Sequence, residues 1–137
     1  MRYVVLDTNI LVSALWCKDG KPASIVQKVL AQEISLCYDY RILSEYVDVL
    51  NREKFSFIPS EIEDIISALE AFGISVVVEQ DTAVVDDNIT FIHEDDRAFY
   101  DVAKFCNASL ITGNNRHYPD EPFIMTPAEF LEEYSGY

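Results

Sequence analysis

Positive charge is scarce in this chain. Ten Lys and Arg stand against twenty-four Asp and Glu among 137 residues, a formal net charge of −14. Binding to a polyanion is driven by basic side chains and displaced counterions, so this balance argues against a nucleic-acid surface built on basic patches. A nucleic-acid role would need a local site carrying divalent cations, or a basic partner. Cysteine is also sparse. Cys17, Cys37 and Cys106 lie far apart with no CxxC pair, and their odd number argues against a disulfide framework. Their apolar neighbours point to reduced, buried thiols in a cytoplasmic protein. There is no Cys/His spacing for zinc. No apolar stretch approaches the ~18 residues of a membrane span, and the N-terminus has no basic n-region with a cleavage site. Repeats, linkers and low-complexity tracts are absent too.

What is present is a packed globule. Half of the chain is hydrophobic, with eight Tyr and eight Phe, which excludes a disordered chain. The length is that of a single domain, residues 1–137. The organising stretch is Met1 to Trp16. Tyr3-Val4-Val5-Leu6 is a short unbroken apolar run, suited to a strand buried on both faces of a parallel sheet. Asp7-Thr8-Asn9 interrupts it with helix-capping residue types, and Ile10 to Trp16 resumes the apolar character. The reading is strand, tight turn, helix, with one carboxylate at the carboxyl end of a central strand, where open parallel sheets bind ligands. The competing reading is that Asp7 or Thr8 is only a helix cap.

Further along, helical spacing predicts helices from Pro22 to about Ala31, from Ile42 to about Asn51, and from a Ser60-x-x-Glu63 capping box to Phe72. Gly73 is a favoured helix stop. Another helix opens at Glu94-Asp95-Asp96 and buries Phe99, Val102, Ala103 and Cys106, with Asp101 facing solvent. The last follows a Thr126-Pro127-Ala128-Glu129 cap. Short strands are expected at Ile34–Tyr38, Ser75–Val78, Leu110–Thr112 and Phe123–Met125, and an irregular connection over Glu79–His93. Strands alternating with helices predict an α/β domain: a three-layer α/β/α sandwich around a parallel sheet of four to five strands with right-handed crossovers.

That topology brings Asp7, Glu45, Asp96 and Asn114 toward one carboxyl edge. Carboxylates a few ångströms apart repel by about 3–4 kcal/mol per pair at an effective dielectric near 20. Such a cluster is tolerable only with cations or with some members protonated. Hard oxygen ligands suit Mg²⁺ or Mn²⁺. Each residue has a plainer alternative. The plainer reading of Asp96 is a first-turn helix acid, of Glu45 an exposed partner of Arg41, and of Asn114 a turn residue.

The opening VVLDTNILVSAL resembles the start of PIN-domain nucleases, including VapC-type toxins of toxin–antitoxin systems. ILSEYVDVL is similar to that family's second acidic helix. EDDRAFYDVAKFCNASLITGNNRHYP with IMTPAEFLEEY resembles the C-terminal half of the PIN toxin-like subgroup, so the likeness covers nearly the whole chain. It implies a Mg²⁺- or Mn²⁺-dependent endoribonuclease whose acids match Asp7, Glu45 and Asp96. Asp96 is preferred to Asp95 because it stands sixteen positions before Thr112 (112 − 96 = 16), similar to the family's spacing. Asn114 stands where many PIN domains carry a fourth Asp, and as a neutral ligand it weakens any second metal position. Asn9 and Thr112 are candidates to hold the carboxylates, and Arg116, His117, Lys18 and Lys21 to contact phosphate. Implied partners are RNA, an antitoxin protein and a second copy of the chain, with the helix from Ser60 to Phe72 as one contact surface. A catalytically silent PIN-like module that binds RNA or protein is the alternative. A phosphotransfer domain is the third reading, disfavoured because position 9 is Asn and residues 1–6 contain no acidic pair.

Overall fold

The structure, a computed structural model, describes residues 2–78 and 96–135. The expectations for Glu79–His93, Glu94 and Asp95 lie outside the described residues.

The first apolar run forms β1 (Arg2–Leu6), and Val4, Val5 and Leu6 are wholly buried. Helix α1 (Thr8–Trp16) begins directly after Asp7. Asp7 is its N-cap and accepts from the Asn9 N–H at 3.3 Å. Then come α2 (Lys21–Leu30), with Pro22 in its first turn, β2 (Ile34–Tyr38) and α3 (Tyr40–Leu50). Asp39 caps α3, its Oδ1 accepting from the Ile42 N–H at 3.0 Å. A 3₁₀ turn at Glu53–Phe55 leads to α4 (Pro59–Phe72) and β3 (Ile74–Ser75). After the second described segment opens come α5 (Arg97–Cys106), β4 (Ser109–Ile111), a 3₁₀ turn at Asn115–His117, β5 (Ile124–Met125) and α6 (Pro127–Ser135).

Two caps behave differently from one another. Thr126 and Glu129 close the reciprocal box, Thr126 N–H to Glu129 Oε1 at 2.9 Å and Glu129 N–H to Thr126 Oγ1 at 3.1 Å. Ser60 and Glu63 do not, because α4 starts at Pro59 with Ile58 as its uncapped N-cap, and Ser60 falls inside the first turn. Gly73 ends α4 for a reason other than a left-handed turn. Its φ is −82°, and a Cβ there would meet the Leu69 carbonyl at 2.5 Å and the Tyr38 ring at 2.8 Å. Strand β3 is shorter and earlier than Ser75–Val78; Val77 is exposed. The cysteines also differ from expectation: Cys37 is buried, Cys106 half-buried and Cys17 exposed.

All pairings are parallel, in the order β3-β2-β1-β4-β5, within a three-layer α/β/α architecture. Helix α5 packs on β1, β2 and β4, and α1 on α2. Tyr46, Phe99 and Phe130 are the largest fully buried side chains, each contributing about 1.5–3 kcal/mol by leaving water. The strand order reverses direction between β1 and β4. In open parallel sheets that switch leaves a crevice outside the carboxyl ends of those two strands.

Candidate active site

The register pairs Leu6 with Ile111, so Asp7 leaves β1 level with Thr112 leaving β4, and the Asp7 N–H still reaches the Ile111 carbonyl at 3.0 Å. Asp7 is 5% exposed. Its Oδ2 accepts from the Thr112 hydroxyl at 2.9 Å and the Tyr118 hydroxyl at 3.1 Å. The capping and site readings of Asp7 are therefore compatible: Oδ1 takes the helix N–H while Oδ2 takes the two hydroxyls. Asn9, an expected support, is itself exposed and holds Asp7 through its backbone N–H.

Glu45 lies midway along α3, half-buried, and its Oε2 accepts from the buried Thr8 hydroxyl. The guanidinium of Arg41, its expected helical partner, goes to Asp39 at 2.8 Å and Asp101 at 3.4 Å. Asp101 consequently does not face solvent; its side chain is 10% exposed and lies between Arg41 and Arg97. Glu45 also lines an open groove of about 580 Å³ along α3 and α5, with Tyr40, Arg41, Ser44 and Phe99.

Asp96 precedes α5 without a side-chain capping bond. Its Oδ2 is shut off from solvent and lies 3.5 Å from His117 Nδ1. Asn114 hangs on Thr112, its N–H donating to the Thr112 hydroxyl at 3.1 Å, and its Nδ2 is 3.0 Å from His117 Nε2.

One hydroxyl registers all three acids. Burial first, and then the negative charges of Asp7, Asp96 and Glu45, hold the Tyr118 phenol well above its ordinary value. Tyr46, fully buried beneath the same edge with its hydroxyl on the Leu6 carbonyl at 2.6 Å, is raised by burial and then by Asp7 and Glu45. Asp7 after β1, Glu45 on α3 and Asp96 before α5 thus lie within electrostatic reach of the Tyr118 hydroxyl. They are not drawn to one point: among the described residues no three His, Cys, Asp or Glu side chains stand at ligating spacing. The donor set is nevertheless hard oxygen throughout, the kind that Mg²⁺ or Mn²⁺ takes.

The substrate-contact candidates divide. His117 and the exposed Arg116 sit on the turn beside Asp96. Lys18 and Lys21, both exposed, stand beyond the far end of α1, about 12 Å of helix from Thr8 at 1.5 Å per residue. Sequence reasoning missed Tyr118 and Thr8. Neither lies on a hydrophobic period, and the only hint for Tyr118 was an aromatic residue closing an otherwise polar loop.

A parallel sheet with order 3-2-1-4-5 and the buried Asp7 at its β1/β4 switch point defines a class of α/β proteins with an acidic carboxyl edge. The chain belongs to the PIN domain family, whose model matches residues 3–117; PIN domains are generally nucleases. It is 29% identical to the uncharacterized protein MJ1680 of Methanocaldococcus jannaschii, over 98% of this chain and 92% of that one. The fold is similar to a chain in the crystal structure of VapBC2 from Rickettsia felis bound to a DNA fragment from their promoter. There the TM-score is 0.57 and identity 17%, over 90% of this chain and 96% of that chain.

Proposed function

We propose that the chain is a divalent-metal-dependent endoribonuclease, the toxin of a type II toxin–antitoxin pair acting in the cytoplasm. The observation that carries this reading is Asp7 held at the β1/β4 edge by the Thr112 and Tyr118 hydroxyls, with Glu45 tied to the adjacent Thr8 and Asp96 beside His117 on the turn that carries Tyr118, at the sheet edge of a PIN domain. Asp7, Asp96 and Glu45 would hold the ion, with Asn114 as a neutral fourth oxygen ligand. A bound Mg²⁺ or Mn²⁺ supplies polarisation of the scissile phosphate and a water of lowered pKa.

The chain's own residues do the rest. Thr112 fixes Asp7, and Thr8 fixes Glu45, so the carboxylates keep their orientation without a dedicated protein base. The strand lies along the groove that Glu45 lines. Arg116 and His117 contact phosphate close to Asp96, and Lys18 and Lys21 do so at a distance, beyond the first helix. Arg41 and Arg52 line that groove, but a chain with a net charge of −14 has few other cations to offer, which makes binding depend on the metal. The likeness to a VapBC2 chain supports an antitoxin as partner, and α4 offers a face for a second copy.

The test is cleavage of a fluorogenic RNA with Mg²⁺ or Mn²⁺ and with chelator. Asp7→Asn or Asp96→Asn should each lower the rate by orders of magnitude with the fold kept. Metal-independent cleavage surviving both changes overturns the proposal. A second reading, a silent PIN-like binding module, is favoured by the absence of three gathered ligands among the described residues. RNA binding without turnover in either metal selects it.

A further inference from the structure

We infer that Tyr118 is a positioning residue for Asp7: its hydroxyl and that of Thr112 occupy one carboxylate oxygen, Oδ2, and leave the other, Oδ1, for a divalent cation. The inference rests on the proposed metal site and deepens it.

A carboxylate oxygen has about two lone-pair sites. Oδ2 of Asp7 already takes two hydroxyl donors, at 2.9 Å from Thr112 and 3.1 Å from Tyr118. Oδ1 takes one backbone N–H, from Asn9, at the longer distance of 3.3 Å, which leaves a lone pair to spare. Neither oxygen can exchange roles with the other without breaking both hydroxyl bonds, so the carboxylate plane is fixed.

Tyr118 reaches Asp7 from 111 positions away because the preceding turn delivers it. The His117 N–H donates to the Asn114 carbonyl at 3.2 Å and the Tyr118 N–H to the Asn115 carbonyl at 3.1 Å, and the Tyr118 side chain then passes into the interior at 7% exposure. The same turn sets His117 against Asp96. One short turn therefore braces acids far apart along the chain, Asp7 after β1 and Asp96 before α5. A phenylalanine at 118 would fill the same space and lose only the oxygen that does the bracing.

The experiment compares the full chain with Tyr118→Phe by Mn²⁺ calorimetry, thermal melting and RNA kinetics. Partners behind metal ligands are worth about 10–100-fold in metal affinity or activity. Mn²⁺ affinity should fall about tenfold, and the Mn²⁺ concentration for half-maximal cleavage should rise by the same factor, while KM for RNA stays put. A merely structural role would lower the melting temperature and leave Mn²⁺ affinity per folded molecule unchanged, and that result overturns the inference. Thr112→Val removes the other hydroxyl from the same oxygen and should act in the same direction, with Thr112→Ser restoring the affinity; this pair decides the matter if the phenylalanine variant does not fold. Failure of the parent chain to take up Mn²⁺ overturns the proposed function and this inference together. Uptake by the parent with equal uptake by Tyr118→Phe overturns the inference alone.

Discussion

The Thr8 hydroxyl donates to Glu45 Oε2 and so ties the first turn of α1 to the middle of α3, thirty-seven positions apart. Thr8 is 4% exposed, and Glu45 sits on a helix face rather than at a strand end. The hydroxyl holds its carboxylate beside the residue that follows Asp7.

Thr8→Val, equal in shape, should lower cleavage about tenfold and cost ~1 kcal/mol of stability. KM for RNA should not move, because the residue is buried. Steady-state kinetics and urea unfolding of the two proteins check this. Equal turnover would show that Glu45 needs no such restraint.

Asp39 and Asp101 share Arg41 but are not equivalent. Asp39 takes Nε and Nη2 at 2.8 Å and also caps α3, so Asp39→Ala should cost about 2–4 kcal/mol from the lost cap and the Arg41 charge left with one partner. Asp101 pairs at 3.4 and 3.8 Å. Burial raises its pKa, and the lowering by Arg97 and Arg41 does not offset this. A carboxyl raised in the folded state contributes stability that is present below its unfolded value of about 3.9 and lost as pH climbs through the folded value. Asp101→Asn should therefore cost under about 1 kcal/mol at pH 7, and the parent's advantage over it should grow toward pH 4. Urea midpoints at the two pH values measure this; an advantage that shrinks in acid would reverse the assignment.

The sheet was legible in the chain because its central strands are short apolar blocks that both layers bury, and Tyr3-Val4-Val5-Leu6 suits such a strand. Asp7 was legible as a polar break at the end of such a block. Helix starts were less so. Ser60-x-x-Glu63 has the form of a capping box, yet Pro59 fits the first helical position and moves the boundary back, whereas Thr126 is followed by its proline and caps as written. Asp101 looked solvated because helical spacing shows that a residue is off the apolar face. It cannot show that two guanidiniums, one of them sixty positions away, wait there. Tyr118 escaped for the same reason: its partner is brought to it by the β1/β4 register, which no local pattern encodes.

Tyrosine ionisation tests the packing beneath the acidic edge without any metal. Burial and neighbouring carboxylates raise the phenols of Tyr46 and Tyr118. A phenol raised in the folded state contributes stability that is complete below its unfolded value of about 10 and disappears as pH rises past it. In a titration followed at 295 nm, these tyrosines should stay protonated until the circular dichroism signal collapses, and then ionise with it. Tyr46→Phe should remove part of that alkaline step. Complete ionisation near pH 10 with the fold intact would mean that these hydroxyls are not buried as the packing has them.

The thiols give a sharper contrast. Cys17 is exposed after α1, whereas the Cys37 thiol, 1% exposed in β2, is pushed up to about 12 by burial first and then by the neighbouring Cys106 thiol. Cys106 is itself raised by burial. Reaction with a disulfide reagent requires the thiolate, so at pH 8 Cys17 should label first and Cys37 only at the rate of global opening. The linkage has the same sign as for tyrosine: the Cys37 contribution is whole below the unfolded thiol value of about 8.5 and is lost as pH approaches the folded one. Mass spectrometry of pulse-labelled protein reads the order directly. Cys37→Ala should leave the fast phase untouched and, by opening a cavity behind β2, cost about 1–2 kcal/mol. Fast labelling of Cys37 in the folded protein would place β2 nearer solvent than the packing of α5 against it allows.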